Sequence, residues 1–297
     1  MAKDASTTSY PRAVLDLFDA YVHGAIDRRG FIQQCALHVG GATAATATLT
    51  ALSPDFARGQ VIAPDDSRLT THPVDIASPH GHGTIRAYVA RAAARAGQAL
   101  PVIIVAHENR GLNPHIEDIA RRLALEGFLA VAPDALTTLG GYPGDEDKAR
   151  AAFATLDRAK IGEDFVAAAT YARTMAGSNG KIGAIGFCFG GGIANMLATR
   201  LPDLRAAIPF YGSPPVLADV PRIKAELLIH YGGNDARTNA AWPDYEAALK
   251  QAGIRYHACI YDGAEHGFNN DTTPRFNKAA AELAWGRSLA LFRRTLG

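Results

Sequence analysis

The segment Gly186-Phe187-Cys188-Phe189-Gly190 constrains this chain more than any other. Before it runs Lys181-Ile182-Gly183-Ala184-Ile185, which reads as a buried strand; after it, Gly191-Gly192-Ile193-Ala194-Asn195-Met196-Leu197 reads as the start of a helix. A turn that sharp between strand and helix leaves no room for side chains two positions before and after its apex, so both positions need glycine. The apex side chain then stands free at the top of the sheet. Serine is its usual occupant, and here it is cysteine. In a chain with 29 glycines such a pentapeptide can arise by accident, so the weight falls on the segments downstream.

Two later segments fall into register with it. Ala225-Glu226-Leu227-Leu228-Ile229-His230-Tyr231 reads as a strand with Gly232-Gly233-Asn234-Asp235 at its carboxyl end. Tyr256-His257-Ala258-Cys259-Ile260-Tyr261 reads as another, followed by Asp262-Gly263-Ala264-Glu265-His266-Gly267-Phe268. Nucleophile, acid and histidine thus come in the chain order of α/β-hydrolases, each just past a strand, where catalytic groups of open parallel sheets gather. Cys188, Asp235 and His266 are the expected catalytic set.

The rest of the catalytic region alternates strands and helices. Pro73–Ala77 and Thr84–Arg91 read as an antiparallel pair. Pro101–Ala106, Phe128–Ala132 and Ala206–Tyr211 read as further strands, and Pro114–Glu126, Asp164–Ala176 and Phe276–Leu296 as helices. This pattern predicts a mostly parallel, doubly wound sheet with helices on both faces. The 48% hydrophobic content is ample for its core. A net charge of +1 with acids and bases mixed gives no reason to expect nucleic acid or an anionic membrane surface as partner. Three scattered cysteines make neither a disulfide framework nor a metal knuckle, and Cys259 reads as a core residue. His80 and His82 share a turn without a third ligand, so no metal and no cofactor is expected.

Residues 1–60 read as a helical extension, with the catalytic domain over 61–297. Tyr10–Ile26 has helical periodicity. Asp27-Arg28-Arg29-Gly30-Phe31-Ile32 then precedes a mildly apolar stretch from Ala36 to Leu52. Twin arginines before such a stretch resemble a twin-arginine export signal and predict a periplasmic protein; the alternative is a cytoplasmic protein whose extension packs on the domain or bridges subunits of a homo-oligomer. The stretch is too polar for a stable membrane span.

A thiol at the elbow needs a base, which His266 supplies, and Asp235 can fix the imidazole tautomer. The helix beginning at the elbow adds a dipole that favours thiolate. The backbone N–H of Phe189 is one natural oxyanion donor. The second is expected near Glu108-Asn109, from Asn109. These parts describe acyl transfer from an ester, lactone or thioester to water.

With these residues in place the chain resembles the dienelactone hydrolase (carboxymethylenebutenolidase) family. The matching pieces are His107-Glu108-Asn109-Arg110-Gly111-Leu112, Ala132-Pro133-Asp134, Ser178-Asn179-Gly180-Lys181-Ile182-Gly183, Gly186-Phe187-Cys188-Phe189-Gly190-Gly191, Gly233-Asn234-Asp235 and His266-Gly267-Phe268. The resemblance implies a hydrolase of small lactones or esters, without cofactor, in which Glu108 takes the thiol proton when substrate arrives. In the family's archetype, arginines grip a substrate carboxylate, one of them four residues past the catalytic histidine. Asn270 stands at that position here, and Arg110, Lys148 and Arg150 are the other candidate contacts. A redox protein centred on Cys188, and a binding module that kept the fold and lost turnover, are the readings to set against a hydrolase.

Overall fold

The computed structural model describes residues 10–297, so the first nine residues of the expected extension lie outside it. Strands β1 (Leu69–Ser78), β2 (Gly83–Ala92), β3 (Leu100–Ala106), β4 (Leu129–Asp134), β5 (Ser178–Phe187), β6 (Leu204–Phe210), β7 (Glu226–Gly232) and β8 (Tyr256–Tyr261) form one sheet in the order β1-β2-β4-β3-β5-β6-β7-β8. β1 pairs antiparallel with β2 and β2 with β4, and every later pairing is parallel. This is the α/β-hydrolase fold.

Alternate residues of the central strands feed opposite faces, as the period of two requires. Val102 and Ile104 of β3 join one core with Ile161 and Phe165, while Ile103 and Val105 join a second with Ile119 and Phe292. The longer helices are α1 (Arg12–Val22), α2 (Arg28–Val39), α3 (Ala42–Leu52), α4 (Pro114–Leu125), α5 (Glu146–Ala154), α6 (Arg158–Thr174), α7 (Phe189–Arg200), α8 (Trp242–Gln251) and α9 (Lys278–Leu296). Helices α4 and α9 cover one face of the sheet; α6, α7 and α8 cover the other.

Helix α6 begins at Arg158, earlier than the expected Asp164, because the Asp157 side chain accepts from the N–H groups of Ala159 and Lys160. Asp164 lies inside the helix, and its carboxylate serves the β1–β2 turn. It accepts from the His82 backbone N–H at 2.9 Å and from His82 Nδ1 at 2.6 Å. Helix α5 is not among the expected helices.

The N-terminal helices share a core of their own, built from Val14, Phe18, Tyr21, Phe31, Cys35 and Leu49. Burial of each large side chain there contributes about 1.5–3 kcal/mol. The Ala/Thr/Gly-rich run breaks into α2 and α3 at Gly40 and Gly41, whose φ values of 87° and 120° lie in the region glycine favours. Among the described residues no single helix is long and apolar enough to cross a membrane. The pair Arg28–Val39 and Ala42–Gly59 passes that test jointly, but is bent by 110°.

Candidate active site

At the end of β5 the chain reverses into α7 through Cys188, whose φ of 54° and ψ of −114° are rare for a residue with a side chain. Strain of this kind persists only where the surroundings over-determine it. Cys188 N–H donates to Phe210 O at 3.0 Å, and Cys188 O accepts from Gly191 N–H at 3.0 Å. Phe189 is the first residue of α7, where an N–H has no intrahelical acceptor. Its N–H is therefore available beside Sγ, as an oxyanion donor must be.

Asp235 and His266 arrive from the carboxyl ends of β7 and β8, and His266 Nδ1 lies 2.6 Å from Asp235 Oδ2. A carboxylate can only accept, so Nδ1 carries the proton and Nε2 is left free. Asp235 does a second job: its Oδ1 accepts from Thr238 N–H at 3.1 Å, capping a short helical turn. Burial works against the Asp235 charge, but His266 and Thr238 outweigh it and hold the carboxyl below its usual range. Burial likewise opposes charge on His266, and the Cys188 thiolate and Asp235 overcome it, raising its pKa. His266 Nε2 has no hydrogen-bond partner among the described residues.

Glu108 and Asn109 follow β3. Glu108 is buried. Asn270 Nδ2 donates to its Oε2 at 3.3 Å, and Arg110 Nη1 lies 4.0 Å from the same oxygen. Arg121 sits instead against Asp118, Glu117 and Ile62 O. The Asn109 side chain donates to Val22 O at 2.8 Å, tying the loop to α1. His107 is a buried strut, its Nδ1 donating to Glu108 O at 2.5 Å and its Nε2 accepting from Ala135 N–H at 3.1 Å. Burial lowers its pKa and keeps the ring neutral.

The expected substrate contacts are placed otherwise. Asn270 is buried and turned onto Glu108, with its Oδ1 accepting from Thr272. Arg110 is committed to Glu146, Nε to Oε2 at 2.6 Å. Arg150 pairs with Asp147 and lies 3.9 Å over the Tyr21 ring, so it faces α1, and Lys148 is exposed on α5. Arg158 carries no signal in sequence. Its guanidinium lies 4.5 Å and 5.1 Å from the ring centroids of Phe153 and Phe189, beside the elbow. Arg158 is exposed, and no carboxylate pairs with it among the described residues.

Two further residues reach the site without a sequence signal. Tyr211 follows β6 with a φ of 38°, its ring 4.9 Å from that of His266 and its hydroxyl buried without a partner among the described residues. His23, just past α1, puts Nε2 3.4 Å from Cys188 Sγ. Sγ and one ring nitrogen each of His23 and His266 all lie within 4.8 Å of one another. Burial pushes the Cys188 thiol up, but the facing His266 and His23 charges outweigh it and lower the thiol to about 5. A groove of about 950 Å³ lies at the other end of the sheet against Gly180, Leu204 and Glu226. Catalytic groups of such sheets gather at the carboxyl ends of the strands, so it is not the site.

Comparison with known proteins identifies the family. The dienelactone hydrolase family model matches residues 85–296, and a second model, described as YqhI-like, matches residues 1–40. A protein of Saccharolobus solfataricus provisionally named carboxymethylenebutenolidase is 35% identical over 228 residues, covering 65% of this chain and 88% of its own. A hydrolase fragment of Escherichia coli, also provisionally named, is 43% identical over 106 residues, covering 36% of this chain and 90% of its own. A Klebsiella pneumoniae structure provisionally titled dienelactone hydrolase is 28% identical with a TM-score of 0.66, over 76% of this chain and 99% of its own. The family match spans the sheet from β2 through α9, together with the loops that carry Glu108, Cys188, Asp235 and His266, so this chain belongs to the dienelactone hydrolase family and hydrolyses ester or lactone bonds.

Proposed function

We propose that the chain is a cysteine-nucleophile hydrolase that opens a small lactone or ester through a thioester acyl-enzyme. The observation that carries this is one imidazole, fixed by a buried carboxylate at 2.6 Å, beside a thiol on a strained elbow. In this reading Cys188 Sγ attacks the carbonyl carbon, forming the C–S bond. The N–H groups of Phe189 and Asn109 receive the developing oxyanion, whose stabilisation is worth about 2.7–4 kcal/mol per donor. The C–O bond then breaks, and the leaving oxygen takes the proton that the thiol gave up. Water, deprotonated by His266, cleaves the thioester and restores the thiol.

Glu108 lies beside this path, and by family resemblance it receives, as substrate enters, the proton that Sγ has given up. Glu108→Gln keeps the Asn270 contact in size while removing the charge. It is expected to lower kcat/KM by about 10²-fold, within the usual range for a positioned base, and to alter the pH–rate profile. An unchanged rate and profile removes Glu108 from the mechanism.

Arg158 is the cation best placed for a substrate carboxylate, since no acid among the described residues neutralises it and it stands over Phe189. Turnover of p-nitrophenyl acetate, a neutral lactone and a carboxylate-bearing dienelactone tests the reading as a whole. A charge-assisted hydrogen bond contributes about 1.5–3 kcal/mol. Arg158→Gln is therefore expected to raise KM about tenfold or more for the dienelactone alone. Equal effects on all three substrates, or none, would assign the carboxylate contact elsewhere.

A further inference from the structure

The hydrogen-bond partner of Cys188 Sγ is His23, at 3.4 Å, whereas His266 Nε2 has none among the described residues. The two imidazoles meet edge to face, with centroids 4.7 Å apart. His23 is brought there by a helix that is firmly seated. Arg12 Nη1 pairs with Glu265 at 2.8 Å and its Nη2 donates to Asn234 O at 2.9 Å. Asp19 pairs with Arg237 at 3.0 Å, and Tyr21 donates to Asp147. With the Asn109–Val22 contact, these tie α1 to α5 and to the segments after β3, β7 and β8, which carry Glu108, Asp235 and His266.

We propose that His23 is a further catalytic residue, a second imidazole that holds the nucleophile as thiolate in the resting enzyme until substrate arrives. This rests on the reading of Cys188 as nucleophile. The proton leaving Sγ resides on His23 Nε2, while Nδ1–H donates to Asp19 O at 2.8 Å and faces Asp19 Oδ1 at 3.2 Å. Other charges face the ring. Arg237 Nη2 lies 2.9 Å from Nε2, and Arg275 Nη1 is 3.8 Å from Asp19 Oδ1; both oppose a charged His23. His266, paired with Asp235, meets the His23 ring directly, so a charge on it also opposes one on His23. Burial also opposes charge on His23, but the thiolate and Asp19 outweigh it and raise the imidazole to about 10. The working enzyme therefore retains α1. A chain cleaved after the twin-arginine segment lacks His23 altogether.

The test is the pH dependence of iodoacetamide alkylation at Cys188 in the full chain, read by peptide mass so that Cys35 and Cys259 are counted separately. A lowered thiol pKa means thiolate persists as the pH falls, so the wild-type midpoint is expected near 5. His23→Gln is expected to move the midpoint upward by about one unit or more, since it removes a facing cation, with circular dichroism unchanged. Asp19→Asn, which removes the acceptor of the His23 charge, is expected to move it the same way, and it answers the question if His23→Gln does not fold. A midpoint unchanged in the folded variants overturns the proposal and makes His23 Nε2 an acceptor for Arg237. Alkylation needs no substrate, so this result is distinct from failure of the nucleophile reading, which is wild-type turnover in Cys188→Ala.

Discussion

Cys188→Ala is expected to reduce ester turnover by about 10⁴-fold or more, the scale seen when one member of a nucleophile–base unit is removed, with no loss of melting temperature. The size reflects the groups that remain. The oxyanion donors, His266 and the pocket stay in place, but no atom is left to form the acyl-enzyme, and water must attack directly. The fold is spared because alanine keeps the Cβ and the same φ of 54°, so backbone strain at the elbow is unchanged. Cys188→Ser should keep a small residual rate, since an alcohol is a far weaker acid than a thiol next to the same base. The measurement is p-nitrophenyl acetate hydrolysis combined with intact mass after rapid mixing, where wild type should gain one acyl group on Cys188. Wild-type rates in Cys188→Ala would falsify the elbow assignment.

Gly190→Ala is expected to be strongly destabilising, as is Gly186→Ala, whose Cβ would lie 1.9 Å from Gly190 O. A Cβ on Gly190 would lie 2.1 Å from Ala106 O and 2.6 Å from His107 O, both backbone atoms of β3 and its following loop. No flexible side chain can yield, so the elbow or β3 must shift, at a cost of about 3 kcal/mol or more. For a chain of this size that corresponds to a fall in melting temperature of about 6–12 °C. Turnover in whatever folds should also fall, because the same displacement moves the Phe189 N–H. Gly286→Ala is the control: nothing lies within 4 Å of its added Cβ, on α9, and alanine there should be neutral or stabilise by about 0.5–1 kcal/mol. Equal melting temperatures for Gly190→Ala and wild type would mean that the close approach at the elbow is not real.

The order Cys188, Asp235, His266 is legible because each sits just past a strand whose apolar run is complete in sequence. The same holds for the core helices, although α6 starts earlier than expected because Asp157 caps it. The family resemblance names Glu108 but does not say what holds it. Asn270, expected at the substrate, is the residue bonded to it. Arg110, expected at the mouth, is buried against Glu146.

Local chemistry was therefore determined by sequence alone: the glycine-flanked elbow, the alternating strands and helices, and the positions at strand ends where an acid and a histidine are useful. Each depends on backbone torsion or periodicity within about ten residues, which a linear reading contains. Tertiary structure alone decided which distant side chains lie beside the elbow. His23 lies 165 positions from Cys188, on a helix whose periodicity shows only that one face is buried. What that face is buried against depends on ion pairs such as Arg12–Glu265 and Asp19–Arg237, formed between segments that no local pattern joins.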